Sequence, residues 1–214
     1  LNTRLSSYLK RHFGIHSFQV MARPLGAEAP APDLGLRYRL LGRSEIEQCC
    51  NRPDLRMSPA FVQAAASRKD ACIGAFLGKE IVACAWIAFT AAPCADDVWV
   101  RFDERACFLY QVFVRDEWRA RGVDQALRLV ADNLCLWAGK RFAMSFVAAD
   151  NDGDIAQIAQ TGARTIAHAG FVEPIGMNWK MRRAGADGLE FRFFQHGVAQ
   201  PAQEPLWQEG SRRS

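Results

Sequence analysis

Apolar and polar positions change period several times along the chain, and each change predicts an element. Leu5, Tyr8, Leu9 and Phe13 recur at near-helical spacing among basic residues, which predicts a short basic amphipathic helix over residues 1–13. The Gly/Ala/Pro-rich stretch GAEAPAPDLG, 26–35, reads as a linker or extended arm. LRYRLL, 36–41, alternates as a strand does. Ser44 precedes a helical stretch through Cys50, with Glu47 three residues on to complete a capping box, and Ser58 opens a second stretch through Ala66. ACIGAFL and IVACAWIAFT, separated by Gly78-Lys79-Glu80, predict a hairpin. VWVRF, 98–102, reads as a strand and ACFLYQVFV, 106–114, as a buried one.

Gly122 then opens a helix to about Trp137, with Val123, Leu127, Val130, Leu134 and Trp137 on one side. RFAMSFVAA, 141–149, is the next strand; a polar loop follows, then a short helix over 163–169 ended by Gly170. Strands at 177–182 and 189–195 close the series, and a Pro/Gln-rich loose tail begins near residue 199. The order predicts an α+β or mixed α/β domain. It divides the chain into a helix and linker arm (1–35), a core domain (36–197) and a flexible tail (198–214).

Composition narrows the classes. A chain of 214 residues suits one domain with an appendage and can bury a core without staples. The longest uncharged stretch, 81–95, is too short for a bilayer and contains Pro93, so no transmembrane segment is expected. The net charge of +4 sits largely on Arg4, Lys10, Arg11, Arg23, Arg212 and Arg213, and the middle of the chain lacks a basic stripe interleaved with aromatics. That argues against a nucleic-acid partner. Seven scattered cysteines without a Cys-x-x-Cys point to small apolar fillers in a reducing, cytoplasmic setting, and to no metal centre. The opening segment lacks the long apolar run of a secretory signal. DNDGD, 150–154, has its Gly too early for a calcium loop and no closing Glu, so it reads as a polar turn.

The chemistry concentrates in FLYQVFVRDEWRARGVDQALRLV, 108–130. A buried strand runs into a tight turn with Gly122, and an amphipathic helix follows at once. The first backbone N–H groups of such a helix lack intrahelical partners and carry the positive end of its dipole, which suits an anion such as phosphate. Gly122 allows close backbone approach, and Arg119, Arg121 and Arg128 add positive charge around the same pole.

Val114, then Arg115-Asp116-Glu117-Trp118, then Arg119-x-x-Gly122 resembles motif A of the GNAT superfamily of N-acetyltransferases, and the element order resembles that family over about 36–195. Gly170-Phe171 is similar to the Gly-Phe that commonly ends the family's short helix. The resemblance implies a central mixed, mostly antiparallel sheet flanked by helices, with acetyl-CoA or another acyl-CoA as co-substrate. It implies a strand splayed by a bulge, with pantetheine and thioester contacts at Val112, Phe113 and Val114. Pyrophosphate contacts would fall on Arg119, Ala120, Arg121, Gly122, Val123, Asp124 and Gln125. The acceptor would be an amine of a small molecule or protein, attacked directly upon without a covalent enzyme intermediate; a homodimer is left open.

Two departures bear on catalysis. The family's last motif-A position is Gly or Ala and here is Asp124, a carboxylate that suits the helix dipole but competes with a pyrophosphate unless it turns outward to Arg121 or Arg128. Many members place a proton-donating tyrosine four residues before the Gly of Gly-Phe, a position held here by Ile166. Some carry a base on the strand leading into motif A, at a position matching Phe108. Tyr110, two residues on, is the first candidate for proton transfer, and alternation puts it on the face of Phe108 and Val112; Asp150 is the second. Two rivals stand beside an N-acyltransferase: a catalytically silent module of the same fold that binds acyl-CoA or a partner, and a transferase with a different acyl donor.

Overall fold

The computed structural model describes residues 13–50, 57–95, 98–119, 121–182 and 188–195. An eight-stranded sheet forms its centre. In chain order its strands are β1 (Ile15–Pro24), β2 (Arg37–Leu40), β3 (Ala71–Leu77), β4 (Glu80–Ala88), β7 (Ala106–Val114), β8 (Phe142–Ala148), β9 (Arg164–Val172) and β10 (Met177–Arg182). They lie in the order β10-β9-β1-β8-β7-β4-β3-β2, antiparallel except for the β7–β8 pair. A second sheet orders β11 (Phe191–Gln195), β6 (Val98–Phe102) and β5 (Ala91–Ala95). The described helices are α1 (Arg43–Cys50), α2 (Pro59–Ser67), α3 (Val123–Trp137) and α4 (Asp152–Ala159).

Each face of the large sheet has its own apolar layer. On one face α3 sets Val123, Leu127, Ala131 and Cys135 against Ile73, Ala75, Val82, Ala85, Ile87 and Cys107. Of the stripe read from the sequence, Val123 and Leu127 are buried, Val130 and Leu134 are partly buried at its margin, and Trp137 is 70% exposed. The other face carries Phe18, Val20, Trp86, Phe108, Tyr110 and Phe146, covered by α1, α2 and the small sheet through Val98, Val100, Phe191 and Phe193. The Gly78 hairpin and the Ser58 cap form as expected, with Ser58 Oγ accepting from the Phe61 N–H at 3.2 Å. Among the described residues no disulfide forms, and the described cysteines are buried except Cys94.

Three expectations change. Residues 15–24, assigned with 1–35 to an arm outside the core, form a strand in the interior of the sheet, paired with β8 on one side and β9 on the other. Their alternation is masked because His16, buried at 5% exposure and bonded to Glu173 at 2.7 Å, occupies an inward position. The predicted helix at 163–169 is strand β9, and the helix lies in the segment read as a polar loop. There Asn151 caps α4 through Oδ1, accepting from the Asp154 N–H at 3.1 Å, and Asp152 and Asp154 complement the dipole in the first turn. Capping at α1 begins two residues earlier than read: Glu45, not Glu47, reaches back, to the Gly42 N–H at 3.0 Å, while Glu47 pairs with Arg43. Residues 191–195 and 98–102 pair with each other in the small sheet. The expected helix at 1–13 lies almost wholly, and the tail after 198 entirely, outside the described residues.

Gly170 is therefore a mid-strand residue rather than a helix stop, and close packing accounts for it. A Cβ there would stand 2.4 Å from the His16 carbonyl oxygen and 2.4 Å from Trp179 Nε1. Because one obstacle is backbone, Gly170→Ala is expected to lower stability by about 1–3 kcal/mol, read as a lower denaturant midpoint at unchanged m-value. A neutral substitution would show that β1 and β9 can separate there freely.

Candidate active site

The site begins where two strands part. β7 and β8 pair in parallel only from Ala106–Phe108 against Phe142–Met144. Past Phe108, β7 stays with β4 and β8 stays with β1, which leaves an opening between them. A bulge accentuates the bend: Gln111 adopts φ 50°, and β7 gains one residue between the pairs Trp86–Tyr110 and Cys84–Phe113. The extra residue resets the alternation. Tyr110 and Phe113 share the aromatic face, whereas Val112, expected beside Tyr110, is 36% exposed.

Beyond the bulge the backbone turns sharply. The Arg115 N–H donates to the Val82 carbonyl at 3.0 Å, Asp116–Trp118 forms one 3-10 turn, and Gly122 takes φ 77° and ψ 13° before α3. This left-handed conformation is the physical need for glycine at 122. No side chain caps α3, so its first N–H groups retain the free valence and positive potential of a helix mouth. A Cβ on Gly122 would meet nothing nearer than Gln125 Oε1 at 4.0 Å, so the mouth is open on that side.

Charges around the mouth are arranged differently from the expectation. Arg119 donates to the Val114 carbonyl at 3.3 Å and pairs with Asp116 at 3.1 Å, and Arg121 lies 4.8 Å over the Trp118 ring. Asp124 pairs with neither Arg121 nor Arg128 and makes no ion pair among the described residues. Arg128 is half-buried; burial lowers its pKa, partly offset by the charge of Asp124. It lines a small cavity of about 30 Å³ with Leu109, Asp132, Met144, Ser145 and Ile158, at the opening between β7, β8 and the helices α3 and α4. Arg23 ties β1 to α3 there through two 2.6 Å bonds to Asp132.

On the opposite face Tyr110 is 6% exposed and belongs to a network that sequence reading missed. Its hydroxyl donates to Asp70 Oδ2 at 2.7 Å and accepts from Arg68 Nη2 at 3.2 Å. Arg68 also donates to the same Asp70 oxygen, from Nε at 3.0 Å and from Nη2 at 2.7 Å. Burial, then the Asp70 charge, pushes the Tyr110 pKa well above the ordinary tyrosine range. Burial also raises the Asp70 pKa against the opposing pull of Tyr110 and Arg68. Arg68 and Asp70 sit in the Arg-Lys-Asp turn before β3. Asp150 lies half-buried in the turn after β8 and makes no hydrogen bond or ion pair among the described residues. It does not join Tyr110. Ile166 is buried within β9; counted instead from Gly162 beyond α4, the position four residues earlier is Ile158, again aliphatic. Ala120 lies outside the described residues.

No family model matches the chain, and no curated protein matches it significantly. Solved structures do. The glucosamine N-acetyltransferase region of a fungal multi-domain GH3 β-N-acetylglucosaminidase superposes with TM-score 0.52 and 15% identity, covering 77% of this chain and 22% of that one. A protein from Novosphingobium aromaticivorans assigned to the GNAT family gives 0.48 and 16%, covering 72% and 61%. A GCN5-related N-acetyltransferase from Kribbella flavida gives 0.48 and 14%, covering 78% and 63%. The chain spans less than two thirds of the length of each of these proteins. The architecture is the GNAT fold, a mixed and mostly antiparallel sheet flanked by helices. Among the described residues no group of three or more His, Cys, Asp or Glu could hold a metal, and no helix is long and apolar enough to cross a membrane.

Proposed function

We propose that the chain is an acyl-CoA-dependent N-acyltransferase, most simply an acetyltransferase, acting on an amine of a small molecule or protein. One combination carries the reading: β7 parts from β8 at a bulge and leads, through a left-handed Gly122, to an uncapped helix mouth. The donor supplies an acyl group activated as a thioester. The exposed edge of β7 at Val112, Phe113 and Val114 offers backbone groups to its extended arm, and Gly122, Val123, Asp124 and Gln125 offer N–H groups to its pyrophosphate. Arg119 and Arg121 add positive charge beside them. N–H groups preorganised along the strand edge can donate to the thioester oxygen as negative charge develops there.

The test is release of free thiol from acetyl-CoA in the presence of a broad panel of amines. Binding without turnover on any amine supports the second reading, a silent acyl-CoA module, which the unpaired Asp124 favours. No binding of acyl-CoA overturns both. Asp124 gives a finer check, since its carboxylate lies in the first turn of α3. Asp124→Asn is expected to tighten acetyl-CoA binding about two- to fivefold, the worth of one charge at a helix end. Unchanged affinity in calorimetric titration would place the pyrophosphate away from this carboxylate.

A further inference from the structure

The Asp70 carboxylate is bonded unevenly. Oδ2 accepts all three donors within reach, two from Arg68 and one from Tyr110, while Oδ1 is buried with no hydrogen-bond partner. The side chain is fully buried and Arg68 is 16% exposed. A buried anionic oxygen without a donor is costly, so this carboxylate has more to gain from a proton than one bonded on both sides. The Tyr110 hydroxyl donates to Oδ2 at 2.7 Å, so a proton taken up at Oη has a hydrogen-bonded route to the carboxylate. Tyr110 is also the second residue past the last β7–β8 pair, beside the opening that the proposed thioester site occupies.

We propose, resting on the acyltransferase reading, that Asp70 is the terminal proton acceptor of the reaction and Tyr110 its relay. The neutral amine nitrogen bonds to the acyl carbon, and the carbon–sulfur bond breaks with its electron pair leaving on sulfur. The amine proton passes to Tyr110 Oη while the Tyr110 proton passes along the 2.7 Å bond to Asp70 Oδ2. The products are the amide, the thiolate and a protonated Asp70, so charge and atoms balance. Tyr110 thus serves as a base by relay, not as the acid its hydroxyl alone would suggest. Arg68 is a positioning residue: it lies 4.4 Å over the Trp99 ring and fixes the carboxylate by two bonds.

Among the described residues, Arg68 and Tyr110 are the groups that act on the Asp70 charge. The turn after α2 contributes Arg68, β7 contributes Tyr110, and Phe61 of α2, Trp86 of β4 and Trp99 of β6 are uncharged rings. Next but one to Asp70, the Cys72 thiol is held neutral, its pKa pushed up by Cys84 and by burial. Because burial raises the Asp70 pKa, loss of the base with falling pH should begin above the ordinary carboxylate range.

The test uses the full chain, acetyl-CoA and the least basic amine it turns over, so that amine ionisation does not mask the profile. Tyr110→Phe keeps the Arg68–Asp70 pair and should lower kcat about a hundredfold or more, with little change in acetyl-CoA affinity. Asp70→Asn should lower kcat comparably and abolish the acidic limb of the kcat–pH profile, and the double variant should be no worse than either. A folded variant that keeps wild-type kcat and pH profile overturns the relay, as do losses that add in the double variant. If Asp70→Asn does not fold, Tyr110→Phe decides alone. A wild-type chain that turns over no amine overturns the acyltransferase reading itself, and the relay with it.

Discussion

A chain that starts at Leu36 is expected not to fold. β1 is bonded along both edges, Phe18–Pro24 to β8 and Ile15–Ala22 to β9, so its removal leaves two unpaired edges inside the sheet. It also removes Phe18, Val20 and Met21, each at most 2% exposed. At about 1.5–3 kcal/mol per fully buried large side chain, that loss alone rivals the roughly 5–15 kcal/mol by which domains are stable. Near-UV circular dichroism and the thermal transition of the 36–214 fragment provide the measurement. Loss of both is expected; a sharp transition with intact near-UV signal would show that β8 can close onto β9 directly. A milder probe is Phe18→Ala, which abolishes the stacking on Phe193 at 4.8 Å and should cost about 3–5 kcal/mol.

Gly122→Val should leave the chain folded and cost at least tenfold in acetyl-CoA affinity. The left-handed φ of 77° disfavours a β-branched residue by about 1–2 kcal/mol. Val123, Leu127, Ala131 and Cys135 still hold α3 against the sheet, so the damage should remain local. The new side chain would stand in the open space at the helix mouth, where a bound anion needs the bare N–H groups; each 1.4 kcal/mol lost there is a factor of ten. Gly122→Asn separates the two causes, because asparagine tolerates the left-handed conformation but still carries bulk. Weak binding by both variants indicates obstruction, and weak binding by valine alone indicates strain. Unchanged binding by both would remove the α3 mouth from the proposed cofactor site.

What could be read in advance was local. The β3–β4 hairpin, the buried strand at 106–114 and the helix opened by Gly122 each follow from residues within a few positions of one another: alternation, a turn glycine, a helical apolar stripe. Where the local signal was ambiguous the reading failed. The segment 163–169 holds three alanines in seven residues, which fit either period, and its two neighbouring strands make it a strand. Asn151 looked like a turn residue because a cap and a turn use the same side-chain chemistry.

The sequence by itself determined the strand–turn–helix of the candidate site, since Gly122 and its flanking periodicities need no distant partner to take their shape. Only the tertiary structure decided that residues 15–24 lie inside the sheet, that the bulge of β7 falls at Gln111, and that Asp70 meets Tyr110 forty residues further on. Those outcomes depend on which strands pair and which buried polar groups find each other. Pairing is settled by burial and hydrogen bonding between segments far apart in the chain, and neither leaves a periodic mark in either segment alone.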